Sequence, residues 1–166
     1  MKKIVVDLGK CTGCRTCQII CAMSHEGVLN YELSRISVTK DDKPGLSAVV
    51  PCSQCKKAPC VDVCPTEANA WVPAIGANVI DAEKCIGCEM CLTACPFGSI
   101  AMIARNGKET AIKCDLCNGD PQCVKFCEPK AIRYEEPCEL AKARSDVFSG
   151  RFLEIIREIK GIAEDK

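Results

Sequence analysis

Sixteen of the chain's 17 cysteines fall into four quartets: Cys11, Cys14, Cys17 and Cys21; Cys52, Cys55, Cys60 and Cys64; Cys85, Cys88, Cys91 and Cys95; and Cys114, Cys117, Cys123 and Cys127. The first and third read C-x2-C-x2-C-x3-C, the spacing that ligates [4Fe–4S] cubanes. Three cysteines at three-residue intervals turn their sulfurs toward one compact cluster, while the fourth points away and ligates the other cluster of a pair. Such loops therefore work in twos. Gly13 and Gly87, between the first and second cysteines, suit a backbone that must approach the inorganic core closely. Pro65 and Pro96 follow the fourth cysteines and end the short helical turn that carries that ligand. Four one-electron cubanes in 166 residues predict an electron-transfer protein.

Two other uses of cysteine compete. A disulfide scaffold of a small secreted chain fits poorly with an odd count in tight clusters. Structural zinc also uses C-x2-C pairs, but as two separated pairs completing a tetrahedron, and not as three cysteines per loop with a proline after the fourth. Cys138, outside the quartets, reads as a buried inert thiol.

The rest of the composition agrees with a protein built around its metal. Only 4% of residues are aromatic, so the ordinary hydrophobic core is small, and loss of iron is expected to unfold the chain. Lys plus Arg and Asp plus Glu balance at 22 each. A cubane with four thiolates carries about −2, so four bring the loaded protein to about −8. No basic stripe points to nucleic acid, and no apolar run reaches spanning length. Met1-Lys2-Lys3-Ile4-Val5-Val6-Asp7 is too short an apolar run for a signal peptide, which leaves the cytoplasm as the expected compartment.

The elements that must position the cysteines are short. Ile4-Val5-Val6 reads as a strand leading into the first quartet. After each of the first three quartets comes a hairpin: Ser37–Thr39 with Ala48–Val50, Ala70–Val72 with Val79–Asp81, and Ile100–Ile103 with Thr110–Ile112 across Asn106-Gly107. Ala131–Tyr134 makes one more strand. The fold class is α+β, with cluster loop plus hairpin as the repeating unit. Pairing Ile4–Val6 with Ala131–Tyr134 would join quartets one and four and nest two and three between them; sequential pairing, one with two and three with four, is the rival.

The cysteine motifs resemble the four-cluster electron-transfer subunits that accompany molybdenum, tungsten and nickel oxidoreductases, over roughly residues 1 to 135. That resemblance implies two nested bacterial-ferredoxin-like dicluster modules within 1–139, an outer one of 1–34 plus 105–139 and an inserted one of 35–104. It implies four [4Fe–4S] clusters on Cys11, Cys14, Cys17 with Cys127; Cys114, Cys117, Cys123 with Cys21; Cys52, Cys55, Cys60 with Cys95; and Cys85, Cys88, Cys91 with Cys64. They would form a row along which electrons hop. Cys11-Thr12-Gly13-Cys14-Arg15-Thr16-Cys17, His25-Glu26-Gly27 and the run from Cys114 to Val124 look like the small iron–sulfur subunit of tungsten-containing aldehyde oxidoreductases. Subunits of carbon monoxide dehydrogenase, formate dehydrogenase and hydrogenase systems are similar, and a free-standing polyferredoxin is a further alternative. Cys127 is followed by Glu128 before Pro129, and Cys21 by Ala22, which departs from the family's local signature.

The implied role is an electron-conducting subunit without catalytic residues of its own. Its partners would be a large tungsten-pterin catalytic subunit and a flavin/NAD-reducing subunit or a ferredoxin. Outside the quartets, His25 is expected to make a hydrogen bond near the end of the turn after Cys21, and Trp71 to pack over its hairpin. Lys56 and Lys57 either raise the potential of the second loop's cluster or form a solvated face. Residues 140–166 read as a C-terminal amphipathic helix. Phe148, Phe152, Ile155, Ile156, Ile159 and Ile162 recur at helical spacing, for packing on the body, on a partner or on a second copy.

Overall fold

Four short loops rich in cysteine leave little sequence for regular structure, and what forms is a series of small helices and hairpins. A computed structural model describes residues 1–41, 46–105 and 107–136. Cys138 and the expected helix over 140–166 lie outside the described residues. In chain order come β1 (Lys3–Val6), α1 (Thr16–Glu26), β2 (Ser37–Asp41), β3 (Leu46–Val50), α2 (Pro59–Asp62), β4 (Asn69–Val72), β5 (Ala77–Ile80), α3 (Met90–Ala94), β6 (Ile100–Arg105), β7 (Lys108–Lys113), α4 (Gln122–Lys125) and β8 (Ile132–Glu135).

The strands form four antiparallel pairs. Three are local hairpins, β2 with β3, β4 with β5 and β6 with β7. The fourth joins the two ends of the unit Met1–Glu135: β1 runs against β8, with Ile4 opposite Tyr134 and Val6 opposite Ile132. An isolated two-stranded pair is marginal in water, so each of these must be held by what it packs against.

Two small cores do that holding, and cysteines are part of both. One gathers Cys17, Cys21, Cys114, Cys123 and Cys127 with Ile36, Val38, Val49, Leu116 and Ile132; the other gathers Cys60 and Cys85 with Ala58, Ala68, Ile100 and Ala111. Helix α1 packs on α4, and α2 on α3. The cores do not follow the segment limits drawn from sequence. The β2–β3 hairpin falls within 35–104, yet its Val38 and Val49 fold back over the first loop and pack in the first core. Ala111, beyond residue 105, packs in the second.

Among the described residues helix α1 is the longest, and its register places Cys17 and Cys21 one turn apart on a buried face with Gln18 and Ala22. It ends on Gly27 in the left-handed conformation, whose backbone N–H donates to the Met23 carbonyl at 3.1 Å. The other three helices have four or five residues each. Trp71 on β4 remains 42% exposed, so it covers its hairpin only in part.

Candidate metal centres

The first and third loops have the same backbone. Gly13 and Arg15 in one, and Gly87 and Glu89 in the other, all have positive φ. Successive turns of this hand aim backbone N–H groups into a concavity suited to an anion. The glycines are required for a further reason that sequence spacing did not suggest. A Cβ on Gly87 would stand 2.7 Å from the backbone oxygen of Glu109, so this loop closes against β7 of the neighbouring hairpin.

The cysteines converge in groups drawn from different loops. One cavity, of about 320 Å³, is lined by Cys11, Cys14, Cys17 and Cys127. A second, about 350 Å³, has Cys52, Cys55, Cys60 and Cys95 on its walls. A third, also about 350 Å³, has Cys85, Cys88, Cys91 and Cys64. Each thus takes three sulfurs from one loop and one from another. Cys21, Cys114, Cys117 and Cys123 are tied together electrostatically: the Cys123 thiol is pushed up by burial and by the charges of Cys114, Cys117 and Cys21.

The protonation of these donors depends on a bound cation. Burial, with added repulsion from Cys14, Cys11 and Cys127, raises the Cys17 thiol to about 11. Burial takes Cys114 to about 12, with Cys52 and Cys21 adding to it. Burial raises Cys52 and Cys91 as well. Thiols this buried and crowded do not ionise on their own near neutral pH, whereas iron at the centre of each group would reverse the balance. Backbone donors are already in place for sulfurs that become anionic: Arg35 N–H lies 3.3 Å from Cys21 Sγ, Ser99 N–H 3.4 Å from Cys95 Sγ, and Ala111 N–H 3.5 Å from Cys85 Sγ. The donor sets fit iron–sulfur clusters.

The links between groups have an order. After burial, the causes that raise Cys123 include Cys17 of the first group, those that raise Cys114 include Cys52, and those that raise Cys91 include Cys60. Gln54, fully buried, bridges loops directly, donating from Nε2 to the Cys114 carbonyl at 2.7 Å and accepting from Asn78 N–H at 2.8 Å. Lys3 reaches from β1 to the carbonyls of Ser53 and Gln54.

His25 makes the expected hydrogen bond, and more. Its Nδ1 donates to the Cys21 carbonyl at 2.8 Å, and its Nε2 faces Asp115 Oδ1 at 3.1 Å. Both acceptors lack protons to give, so both ring nitrogens carry hydrogen. Its pKa is raised to about 12, first by the hydrogen bond to Asp115, and Asp115 is lowered to about 2 by His25 and Arg35 against its own burial. Arg35 pairs with Asp115 at 2.5 Å, and Arg105 closes on Glu26 with bonds of 2.5 and 2.6 Å. Sequence reasoning missed Arg35, Glu26, Arg105 and Asp115 as a network, and no local pattern marks it.

The signs of the two shifts define a pH window. Asp115, lowered from 3.8, contributes stability fully above that value and loses it as pH falls toward 2; His25, raised from 6.5, contributes fully below 6.5 and loses it progressively as pH rises toward 12. The pair is expected to stabilise most between about pH 4 and 6.5. Denaturation of a His25→Gln variant should show the largest deficit in that range, and a pH-independent deficit would dismiss the ion pair.

Lys56 and Lys57 are exposed, which places them on the solvated face.

Known proteins bear on these centres at two scales. Residues 8–24 match the family model of a 4Fe-4S binding domain, and 51–106 that of the LdpA Fe-S cluster-binding domain. Over longer spans the chain is 43% identical to the aliphatic sulfonate oxidoreductase, polyferredoxin-like subunit of Pyrococcus furiosus, across 75% of this chain and 70% of that one. It is 36% identical to the electron transport protein HydN of Escherichia coli, across 78% of this chain and 85% of that one. Among solved structures, a chain of the active site complex BamBC of benzoyl coenzyme A reductase matches 96% of each chain at 22% identity and a TM-score of 0.46. With two cluster-binding segments and relatives of this identity matched over most of their length, the chain belongs to the ferredoxin-type 4Fe–4S electron-transport proteins.

Proposed function

We propose that this chain is the electron-conducting subunit of an oxidoreductase complex, holding four [4Fe–4S] clusters in a row. The observation that carries the proposal is the crossing of loops: three cavities, each lined by three cysteines of one loop and the fourth cysteine of another. The ligand sets are Cys11, Cys14, Cys17 and Cys127; Cys21, Cys114, Cys117 and Cys123; Cys52, Cys55, Cys60 and Cys95; and Cys64, Cys85, Cys88 and Cys91. Antiparallel β1 and β8, and the packing of α1 on α4 and α2 on α3, support two nested pairs over a sequential arrangement.

A [4Fe–4S] group supplies one-electron exchange when bound, with a potential set by nearby charge, hydrogen bonds to sulfur and exposure. The protein's part is to hold, space and insulate. Gln54 ties the second loop to the fourth, joining the two interior sets through a hydrogen bond of 2.7 Å. Cys14 and Cys88 are the exposed cysteines of the quartets, and they belong to the two outer sets. Contact with donor and acceptor is therefore proposed at those two ends, and the buried Cys114 and Cys60 keep the middle from discharging to solvent.

The partner proposed is a large catalytic oxidoreductase subunit of the tungsten-pterin class acting on an aldehyde, with discharge to a flavin/NAD subunit or a ferredoxin. The Pyrococcus relative's description makes an aliphatic sulfonate the competing substrate. No helix among the described residues is long and apolar enough to cross a membrane, and the cytoplasm is proposed as the compartment.

The ligand sets are tested by Cys127→Ala. Nested pairing expects the magnetic signature of the Cys11–Cys14–Cys17 cluster to change or disappear while the clusters of the two middle loops are spared. A change confined to the cluster of Cys85, Cys88 and Cys91 would establish sequential pairing instead.

A further inference from the structure

Lys113 ends β7 and is only 3% exposed. Its Nζ is fully buried and has no hydrogen-bond partner among the described residues. A charged group removed from water without a partner is among the least favourable arrangements in a protein, and such groups are ordinarily paired. The same side chain lines the cavity of Cys52, Cys55, Cys60 and Cys95. On its other flank lies a cavity that also touches Arg35 and Arg105, but those cations are matched by Asp115 and Glu26. Lys113 is the one left over among the three.

We propose that Lys113 is the internal counter-cation of the cluster held by Cys52, Cys55, Cys60 and Cys95, and that its fixed charge raises the reduction potential at that position. The proposal rests on the ligand sets assigned above. A cluster with four thiolates is anionic and becomes more so on reduction, so a buried ammonium beside it favours the reduced form. Burial keeps solvent from screening the interaction. No such cation stands in the cavity of Cys64, Cys85, Cys88 and Cys91, whose charged lining residue is Glu89. Lys56 and Lys57, nearer in sequence to the second loop, are exposed and screened. Lys113 thus supplies the tuning charge from a strand, where its position is fixed.

The test is a redox titration of the anaerobic holoprotein with dithionite, followed by electron paramagnetic resonance, for the wild type, Lys113→Met, Lys113→Arg and Cys60→Ser. The Cys60→Ser variant identifies which signal belongs to this set. Lys113→Met is expected to lower that signal's midpoint selectively, by at least tenfold in the reduction equilibrium, about 59 mV for one electron. Lys113→Arg should keep the wild-type value. Loss of this one cluster from Lys113→Met but not from Lys113→Arg leads to the same conclusion, since charge alone separates the two. An unchanged midpoint in Lys113→Met, an equal shift at all centres, or loss of the cluster from both variants would overturn the proposal and leave Lys113 a packing residue. If Cys60→Ser neither removes nor alters any signal, the ligand assignment falls, and the proposal with it.

Discussion

Protein isolated without oxygen is expected to contain about sixteen iron and sixteen inorganic sulfide per chain, with negligible zinc, and to lose its fold when the iron is chelated. The expected collapse follows from what the structure has in place of a core. Its largest fully buried side chains are Leu116, Ile132 and Gln54, one of them polar. Of the four α-helices among the described residues, three have four or five residues, well below the length at which a helix persists unaided. All four sheets among the described residues have two strands, and the cysteines occupy the positions where a larger protein would place leucine or phenylalanine. With iron gone, thiols such as Cys17, at about 11, and Cys114, at about 12, would be neutral near pH 7 and could not hold a shared cation. Because protons compete with iron for these sulfurs, cluster loss should quicken as pH falls. Metal and sulfide analysis, with circular dichroism before and after chelation, checks both parts. About four zinc per chain without sulfide would replace the electron-transfer reading with a structural zinc protein.

Much of this was legible because ligand chemistry and hairpins are local. The quartets could be read from spacing, and so could the strands around Asn106-Gly107 and the end strands that became β1 and β8. His25 was placed by its distance of one helical turn from Cys21. What escaped the sequence is nonlocal. Arg35 and Asp115 pair across 80 positions, and His25 and Asp115 across 90, with no periodicity to announce either. Lys113 is an ordinary polar residue at the end of a strand until its burial is known. Lys56 and Lys57 drew attention by lying inside a cysteine loop, but loop residues between ligands point outward to solvent as readily as inward. Where a hairpin packs is nonlocal too: it belongs to whichever core its alternate residues meet, and Val38 and Val49 meet the first.

Alone, the protein should neither oxidise an aldehyde or an alkanesulfonate nor reduce NAD, yet its visible absorbance should bleach nearly completely when its own catalytic partner and that partner's substrate are added without oxygen. In the proposed ligand sets every quartet serves a one-electron centre, and the sequence shows no flavin, nicotinamide or pterin fingerprint and no nucleophile with a base. A conduit of this kind would receive its electrons from chemistry done elsewhere. It also has to pass them on, so adding a flavin subunit or an oxidised ferredoxin should restore the colour. The two ends give this a structural check, because charging and discharging are proposed to occur at the exposed Cys14 and Cys88. Charge-reversing substitutions on the exposed surface near one end, at Lys40 beside Gly13 or at Glu89, should slow only one of the two half-reactions. If both slow together, entry and exit share a surface and the row is not a conduit. The substrate that bleaches the clusters names the partner: aldehyde supports a tungsten-pterin aldehyde enzyme, and alkanesulfonate assigns the chemistry described for the Pyrococcus relative. Carbon monoxide or formate acting through its own dehydrogenase would leave the conduit standing while replacing the partner.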